Sequence, residues 1–478
     1  MFRYVFLFVV FGAFLGATGA TGFIIAFARK IFRNSAGAPA KVAVVSSGLM
    51  GSLSGSAVAN VVTTGTFTIP MMRAARFKPA IAGGIEAASS AGGALVPPVM
   101  GAAAYLMLEI VQPSVTYLQI IKSALIPAML YYLSIFLFVH FHSLRIASTT
   151  DQTNEPLDDP GKTENDLNPY KGVLFVGSLA VLIGFLLMGF TPFRAVTLGL
   201  AVLIVLSSFH SETRLNWSRI VETVGNAGRD AVPLICAAAC VGLIIGVVTL
   251  TGVGTRFPAM ILPMAEDNLF GALILIMVGS LILGMGLPSV VCYLLMATLV
   301  GPILGSLGVV PLAAHFFIFY FGMMSMVTPP VALAAYAASS VAGSKIIPTS
   351  MAAFRVALVG FTLPFMFVFR PELLLLAPEG RSLSIVAVIY ATTIGILGII
   401  AFAAGLSGYL LSRLNVLFRG LLFLAAALML YPGKAIVFPD TWYITIHDLA
   451  GVVLLVVIAL ISWKPKSSLG NGEPHLQS

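Results

Sequence analysis

Charge is what this chain has least of. Only 9% of its 478 residues are Asp, Glu, Lys or Arg, against roughly 25% in soluble domains, which excludes an ordinary soluble fold. Cysteine is scarce too: Cys236, Cys240 and Cys292 all sit in apolar segments. Cys236 and Cys240 share a helix face without His or acidic neighbours, so they read as small packing residues and support neither a disulfide framework nor a metal site. Catalytic signatures are missing. No GxxxxGK[ST] is present for a nucleotide-hydrolysing P-loop, and there is no HExxH or nucleophile elbow. No acid–base cluster points to an enzyme. Arg-rich voltage-sensor spacing and a TVGYG-like filter are lacking, which weakens a channel reading. Ten-residue alternating segments are absent, which argues against a β-barrel.

What the chain does have is apolar sequence, 59% of its residues, in runs close to the ~20 residues that an α-helix needs to cross hydrocarbon. The expected class is an all-α integral membrane protein. Spans are predicted near 4–28, 79–108, 115–141, 172–190, 194–209, 230–252, 311–339, 354–376, 383–410, 416–432 and 445–463. Two further stretches, 46–73 and 277–304, are broken mid-way by Gly, Ser, Thr and Pro and read as re-entrant hairpins. Bilayer core offers no water to an open backbone, so such breaks survive only inside protein or beside a wet cavity. The opening segment lacks a cleavage site and reads as a span; its abrupt start suggests that upstream segments are missing or lie on another polypeptide.

Orientation follows from the basic residues. With both hairpins re-entering on the side they left, nineteen of the 26 Lys and Arg fall on one side. The positive-inside rule then puts the N-terminus out and the C-terminus in. The net charge of +8 is accounted for by these loops and calls for no nucleic-acid partner. Segment 143–171 is rich in Asp, Glu, Asn, Thr and Pro and reads as a cytoplasmic linker. It separates a first unit, 1–142, from a second, 172–376, which extra C-terminal spans (377–463) and a polar tail (464–478) follow. The stretch 212–231 reads as an amphipathic interfacial arm.

The two broken regions share a grammar. In the first, Gly55 precedes Pro70, then Pro97-Pro98 and Tyr105; in the second, Gly286 precedes Pro302, then Pro329-Pro330 and Tyr336. The text after each Pro pair is alike, PPVMGAAAY (97–105) against PPVALAAY (329–336). The topology makes the copies inverted, a hallmark of secondary transporters. A Pro pair removes two backbone donors and disfavours helix before it, so helices are predicted to unwind near 95–98 and 327–330. Freed carbonyls and helix C-termini suit a cation; helix N-termini suit an anion. Ser54, Ser56, Asn60 and Ser289 offer side-chain oxygens, and Gly92, Gly93, Gly284 and Gly286 allow close backbone approach. Hard oxygens without clustered carboxylates suit Na⁺ better than a divalent metal. Taken alone, any one of these features reflects packing of small residues more often than a ligand site; the repeated spacing favours a site for the set.

Glu86 is the acid placed deepest in a predicted span. It reads either as a functional group or as a side chain that snorkels or pairs with Arg or Lys. Glu109 and His315 fall near predicted membrane edges and read as interfacial.

At GSLSGSAVANVVTTGTFTIP (51–70), EAASSAGGALVPPVMGAAAYLM (86–107), GMGLPSVVCYLLMATLVGP (284–302) and FGMMSMVTPPVALAAYAAS (321–339) the chain closely resembles the large membrane subunit of TRAP (tripartite ATP-independent periplasmic) transporters. It looks most like the branch, often fused, that works with TAXI-type solute-binding proteins. The resemblance implies an inverted-repeat, elevator-type symporter in a bacterial or archaeal inner membrane, with Na⁺ as coupling ion and no other cofactor. It also implies a periplasmic binding protein that delivers an organic acid. By position, the tips match at Ser54, Gly55 and Ser56 and at Gly284, Gly286, Pro288 and Ser289. The unwound helices match at Gly92, Gly93, Pro97 and Pro98 and at Ser325, Thr328, Pro329 and Pro330. The small-subunit region of fused members is not in this sequence, so the expected partner is either a small membrane subunit or a missing N-terminal region, the chain being a fragment, a misassigned start or one piece of a split permease. Two other readings stay open: a binding-protein-independent Na⁺/dicarboxylate symporter, and an inactive truncated scaffold.

Overall fold

The computed structural model describes residues 2–147, 168–252, 268–377, 382–431 and 444–463. Most of the linker and the tail from 464 lie outside the described residues. Among those described there are helices and no strands. They form α1 (Phe2–Ala17), α2 (Ala20–Phe32), α3 (Ala38–Ser54), α4 (Ala57–Ala74), α5 (Pro79–Gly92), α6 (Gly101–Ile110) and α7 (Tyr117–Ala147). After the linker come α8 (Pro169–Leu187), α9 (Pro192–Ser207), α10 (Trp217–Thr251), α11 (Leu269–Leu283) and α12 (Ser289–Ser306). The chain continues with α13 (Pro311–Met324), α14 (Leu333–Ala342), α15 (Ile346–Ala357) and α16 (Leu363–Phe369), and ends with α17 (Ile385–Ser407), α18 (Val416–Leu430) and α19 (Ile446–Ser462).

The interior is built around α5, every residue of which from Ala82 to Gly92 is buried. Its run of Ala, Gly and Ser lets α3, α4, α7, α14 and α15 all pack against it. Small residues permit such close approach where lipid gives helices no hydrophobic reason to associate. Gly84 needs its missing side chain here, since a Cβ would lie 2.7 Å from the backbone nitrogen of Ala353 on α15. The outer helices show the opposite pattern: Val176 on α8, Leu250 on α10, Ile385 on α17 and Leu460 on α19 all point outward. A chain with this buried polar centre and apolar exterior is an integral membrane protein.

Several sequence expectations are corrected. The single span at 4–28 is two helices, α1 and α2, that meet at 65°. The bend follows Gly19, whose φ of 86° lies in the left-handed region where glycine escapes the Cβ clash. The arm at 212–231 is not separate, because from Trp217 it is the first half of the 35-residue α10. The span at 354–376 is α15 and α16, with 3₁₀ turns at Leu358–Thr362 and Pro371–Leu374. His315 is packed inside the protein, its Nδ1 2.9 Å from the Tyr293 hydroxyl. Cys236 and Cys240 face outward rather than packing inside.

Polar anchors fix the outer helices. In the turn between α9 and α10, Glu212 accepts from Asn168 (3.3 Å) and pairs with Lys171 (3.3 Å). These bonds hold its carboxyl below the usual carboxylate value. Arg370, after α16, donates from one guanidinium nitrogen, Nη2, to both carboxylate oxygens of Asp448 on α19 (2.7 and 2.9 Å), and the Tyr390 hydroxyl donates to the same carboxylate at 3.0 Å. The C-terminal helices are thereby clamped to the rest of the bundle.

Candidate functional site

Helix α3 ends at Ser54 because Gly55 turns into the left-handed region, with φ of 61°. Ser56 then caps α4, its Oγ accepting from the backbone N–H of Ala59 at 3.4 Å, as hydroxyl residues do at helix starts. The α3–α4 tip lies against the segment that follows α5. A Cβ on Gly51 would fall 2.5 Å from the Cα of Gly93, and one on Gly55 would fall 2.3 Å from the Cα of Gly101. Two backbones touch at both points, with no room for a side chain between them.

The segment after α5 is irregular. A 3₁₀ turn spans Gly93–Leu95, Val96 is extended, and a cis bond joins Pro97 to Pro98. Met100 is left-handed (φ 55°) before α6 begins at Gly101. Here the carbonyl of Pro98 is not free: the Tyr117 hydroxyl donates to it at 2.6 Å and accepts from Tyr105 at 2.6 Å.

The same local conformations recur after α13. A 3₁₀ turn at Ser325–Val327 leads to extended Thr328, a cis Pro329-Pro330 bond, and left-handed Ala332 (φ 44°) before α14. At the second tip, Gly284 meets Ser325, whose Cβ and Oγ would both lie 2.7 Å from an added Cβ. Gly286 is left-handed (φ 77°), with Val331 as its nearest neighbour. The carbonyl of Pro288 accepts the N–H groups of Val291 and Cys292 (2.9 and 3.1 Å), which starts α12 at Ser289. Ser325 and Thr328 turn their hydroxyls back onto the carbonyls of Gly322 and Met324, each at 2.8 Å. Their oxygens keep lone pairs for a further partner.

A small cavity opens at the first tip, lined by Ser54, Gly55, Ser56, Val99, Gly101 and Tyr105, with Phe8, Val9 and Leu53 from α1 and α3 and Val290 from the second tip. Three helices start on this wall: α4 at Ala57, α6 at Gly101 and α12 at Ser289. Ser56, Gly101 and Val290, at or next to these starts, line the cavity, and helix N-termini favour an anion such as a carboxylate. Among the predicted residues, Ser54, Gly55 and Ser56 line the cavity itself. Asn60 lies one turn deeper and is 1% exposed; its amide donates to the carbonyl of Ser47 (2.7 Å) while its Oδ1 has no partner. Gly92 has a packing role, because a Cβ there would lie 2.0 Å from the Tyr131 ring.

Glu86 neither snorkels nor pairs with Arg or Lys. It is fully buried, and its carboxylate is surrounded by hydroxyls: Ser47 and Thr64 on Oε1 and Thr68 on Oε2, each at 2.6 Å, with Ser90 at 3.1 Å. These donors come from α3, α4 and α5. The tyrosines of α7 were not singled out in the sequence. Tyr117 holds Pro98, while Tyr131 and Tyr132 donate to the carbonyls of Ala88 and Ser89 (2.7 and 2.6 Å). Three tyrosines in a membrane span were the available signal, since a buried phenol needs an acceptor.

Residues 2–379 match the family described as the DctM component of tripartite ATP-independent periplasmic transporters. The chain is 22% identical over 379 residues to the 2,3-diketo-L-gulonate TRAP transporter large permease protein of Escherichia coli (strain K12), covering 77% of this chain and 84% of that protein. It is 24% identical over 337 residues to the sialic acid TRAP transporter large permease protein of Vibrio cholerae serotype O1, covering 70% and 76%. An all-helical membrane fold and a family match over most of the length make this chain a member of the DctM-component family of tripartite ATP-independent periplasmic transporters.

Proposed function

We propose that the chain is the permease subunit of a secondary-active importer for an organic acid, driven by a Na⁺ gradient. The observation that carries the reading is that residues at or beside the starts of three helices, Ser56, Gly101 and Val290, line one cavity. The substrate carboxylate sits there, held by N–H groups that have no helical partner. Na⁺ sits at the C-terminal end of α3, where the side-chain Oδ1 of Asn60 and the Ser54 and Ser56 hydroxyls supply hard ligands; a second Na⁺ sits at the Gly284–Ser289 tip with Ser325 and Thr328. The names of both relatives support an acid, since diketogulonate and sialic acid each carry a carboxylate.

The remaining parts of the reading rest on the repeated motif, on the placement of basic residues and on the family resemblance. The units 1–142 and 172–376 are inverted copies, each with a re-entrant hairpin and a broken helix, and the hairpin-bearing body moves as an elevator against the outer helices. The chain lies in the inner membrane, N-terminus out and C-terminus in. A periplasmic binding protein of the TAXI type delivers the substrate, and a small membrane subunit completes the permease. A thermal-shift screen of the purified permease tests the cavity. Organic acids are expected to raise the melting temperature where their amide analogues do not; equal response to acids and amides would overturn the carboxylate assignment.

A further inference from the structure

One face of α4 carries a line of oxygen-bearing side chains four residues apart. Ser56 lines the tip cavity, Asn60 and Thr64 are buried beneath it, and Thr68 ends the line against Glu86. Spacing of four residues stacks side chains on one helix face, so the stripe leads from the cavity to the carboxylate. Glu86 has no cationic partner among the described residues. The titratable and basic groups on the surrounding helices are engaged elsewhere or point away. On α3, Lys41 binds Ser35 and His140; on α4, Arg73 is exposed. On α7, Tyr131 and Tyr132 donate to backbone; on α14, Tyr336 is exposed; on α15, Arg355 binds the carbonyl of Leu406. An ionised carboxylate in such a place has hydroxyl donors alone to replace water.

The hydroxyl shell has a second property: it satisfies two protonation states. With Glu86 ionised, Ser47, Thr64, Ser90 and Thr68 donate to it. With Glu86 neutral, its Oε2–H donates to Thr68 Oγ1, and Thr68 turns its own proton to the carbonyl of Thr64, 3.1 Å away. Ser47, Thr64 and Ser90 go on donating to Oε1. Only hydroxyl rotors need turn.

We propose that Glu86 is a proton-exchange site that opens when the α3–α4 hairpin rearranges. The step is acid–base only: the Oε2–H bond breaks, the carboxylate keeps the electron pair, and water admitted by the rearrangement takes the proton. As Ser47, Thr64 and Thr68 of the shell stand on the α3–α4 hairpin, proton release is linked to its movement, which makes transport sensitive to a pH gradient. This role extends the transport reading given above.

Infrared difference spectroscopy on the purified permease tests it without substrate or partner, so failure of the proton site is distinguishable from failure of the transport reading. Between about pH 5 and about pH 8, where folded proteins are commonly stable, the wild type is expected to show a carboxylic-acid carbonyl band that is lost as pH rises. Glu86→Gln removes that band. Thr68→Val, which deletes a donor to the ionised form, shifts the pH of its loss by about one unit, and this holds the test open if Glu86→Gln does not fold. A band that stays constant across the range makes Glu86 a permanent structural acid and overturns the proposal. So does absence of the band at every pH.

Discussion

The contact between Gly55 and Gly101 makes a sharp test, because neither partner has a side chain that can give way. In Gly55→Ala the new Cβ would lie 2.3 Å from the Cα and 2.9 Å from the nitrogen of Gly101. Ordinary contact begins at 3.4 Å, so tip and helix must part by more than an ångström. The residue must also keep φ near 61°, which costs an alanine about 1–2 kcal/mol. Overpacking adds about 1–3 kcal/mol, for a total of about 2–5 kcal/mol unless the tip abandons its seat. The assay is thermal unfolding of the purified variant in detergent, read beside Gly184→Ala as control. Gly184 is a helical glycine with open space around its Cα, where alanine is expected to be neutral or to stabilise by up to about 1 kcal/mol. Gly55→Ala is expected to unfold well below both the wild type and the control. If it unfolds with the wild type, the tip does not rest on α6, and the cavity built from the two is wrong.

Three further outcomes follow. Ser56→Leu fills the cavity mouth with an apolar group and is expected to abolish uptake while the protein still inserts in the membrane; normal uptake would remove the tip from the site. Tyr117→Phe strips the carbonyl of Pro98 of its donor and leaves Tyr105 without an acceptor, a loss of about 1–3 kcal/mol that chemical denaturation should register. Asp448→Ala leaves Arg370 buried without its carboxylate, and breaking such a pair costs about 3–5 kcal/mol; an unchanged midpoint would mean that the C-terminal helices are held by other contacts.

Much of this fold is legible in the sequence where backbone chemistry leaves no choice. Paired prolines cannot supply helical donors, and α5 and α13 give way to 3₁₀ turns just before Pro97-Pro98 and Pro329-Pro330. Low charge and long apolar runs suffice for an all-helical membrane class. The bend at Gly19 is hidden because the residues on both sides are equally apolar, so no change of periodicity marks it. The surroundings of Glu86 are hidden for another reason: Ser47, Thr64 and Thr68 lie 39, 22 and 18 residues away and become its neighbours only through packing. The amphipathic look of residues 212–231 suggested a separate arm because polar spacing says nothing of where a helix continues. The tip residues were legible as a set from their repetition. Which of them touch, Gly51 with Gly93 and Gly55 with Gly101, needed the coordinates.

The central claim, uptake of an organic acid driven by a Na⁺ gradient through the Ser54–Ser56 tip, is tested most directly in proteoliposomes. Permease and small subunit are reconstituted, the periplasmic binding protein is supplied outside with radiolabelled organic acid, and a Na⁺ gradient is imposed without ATP. The account predicts accumulation that follows the inward gradient, collapses when Na⁺ is equalised, and is absent with Ser56→Leu. Uptake that is indifferent to the Na⁺ gradient would contradict it.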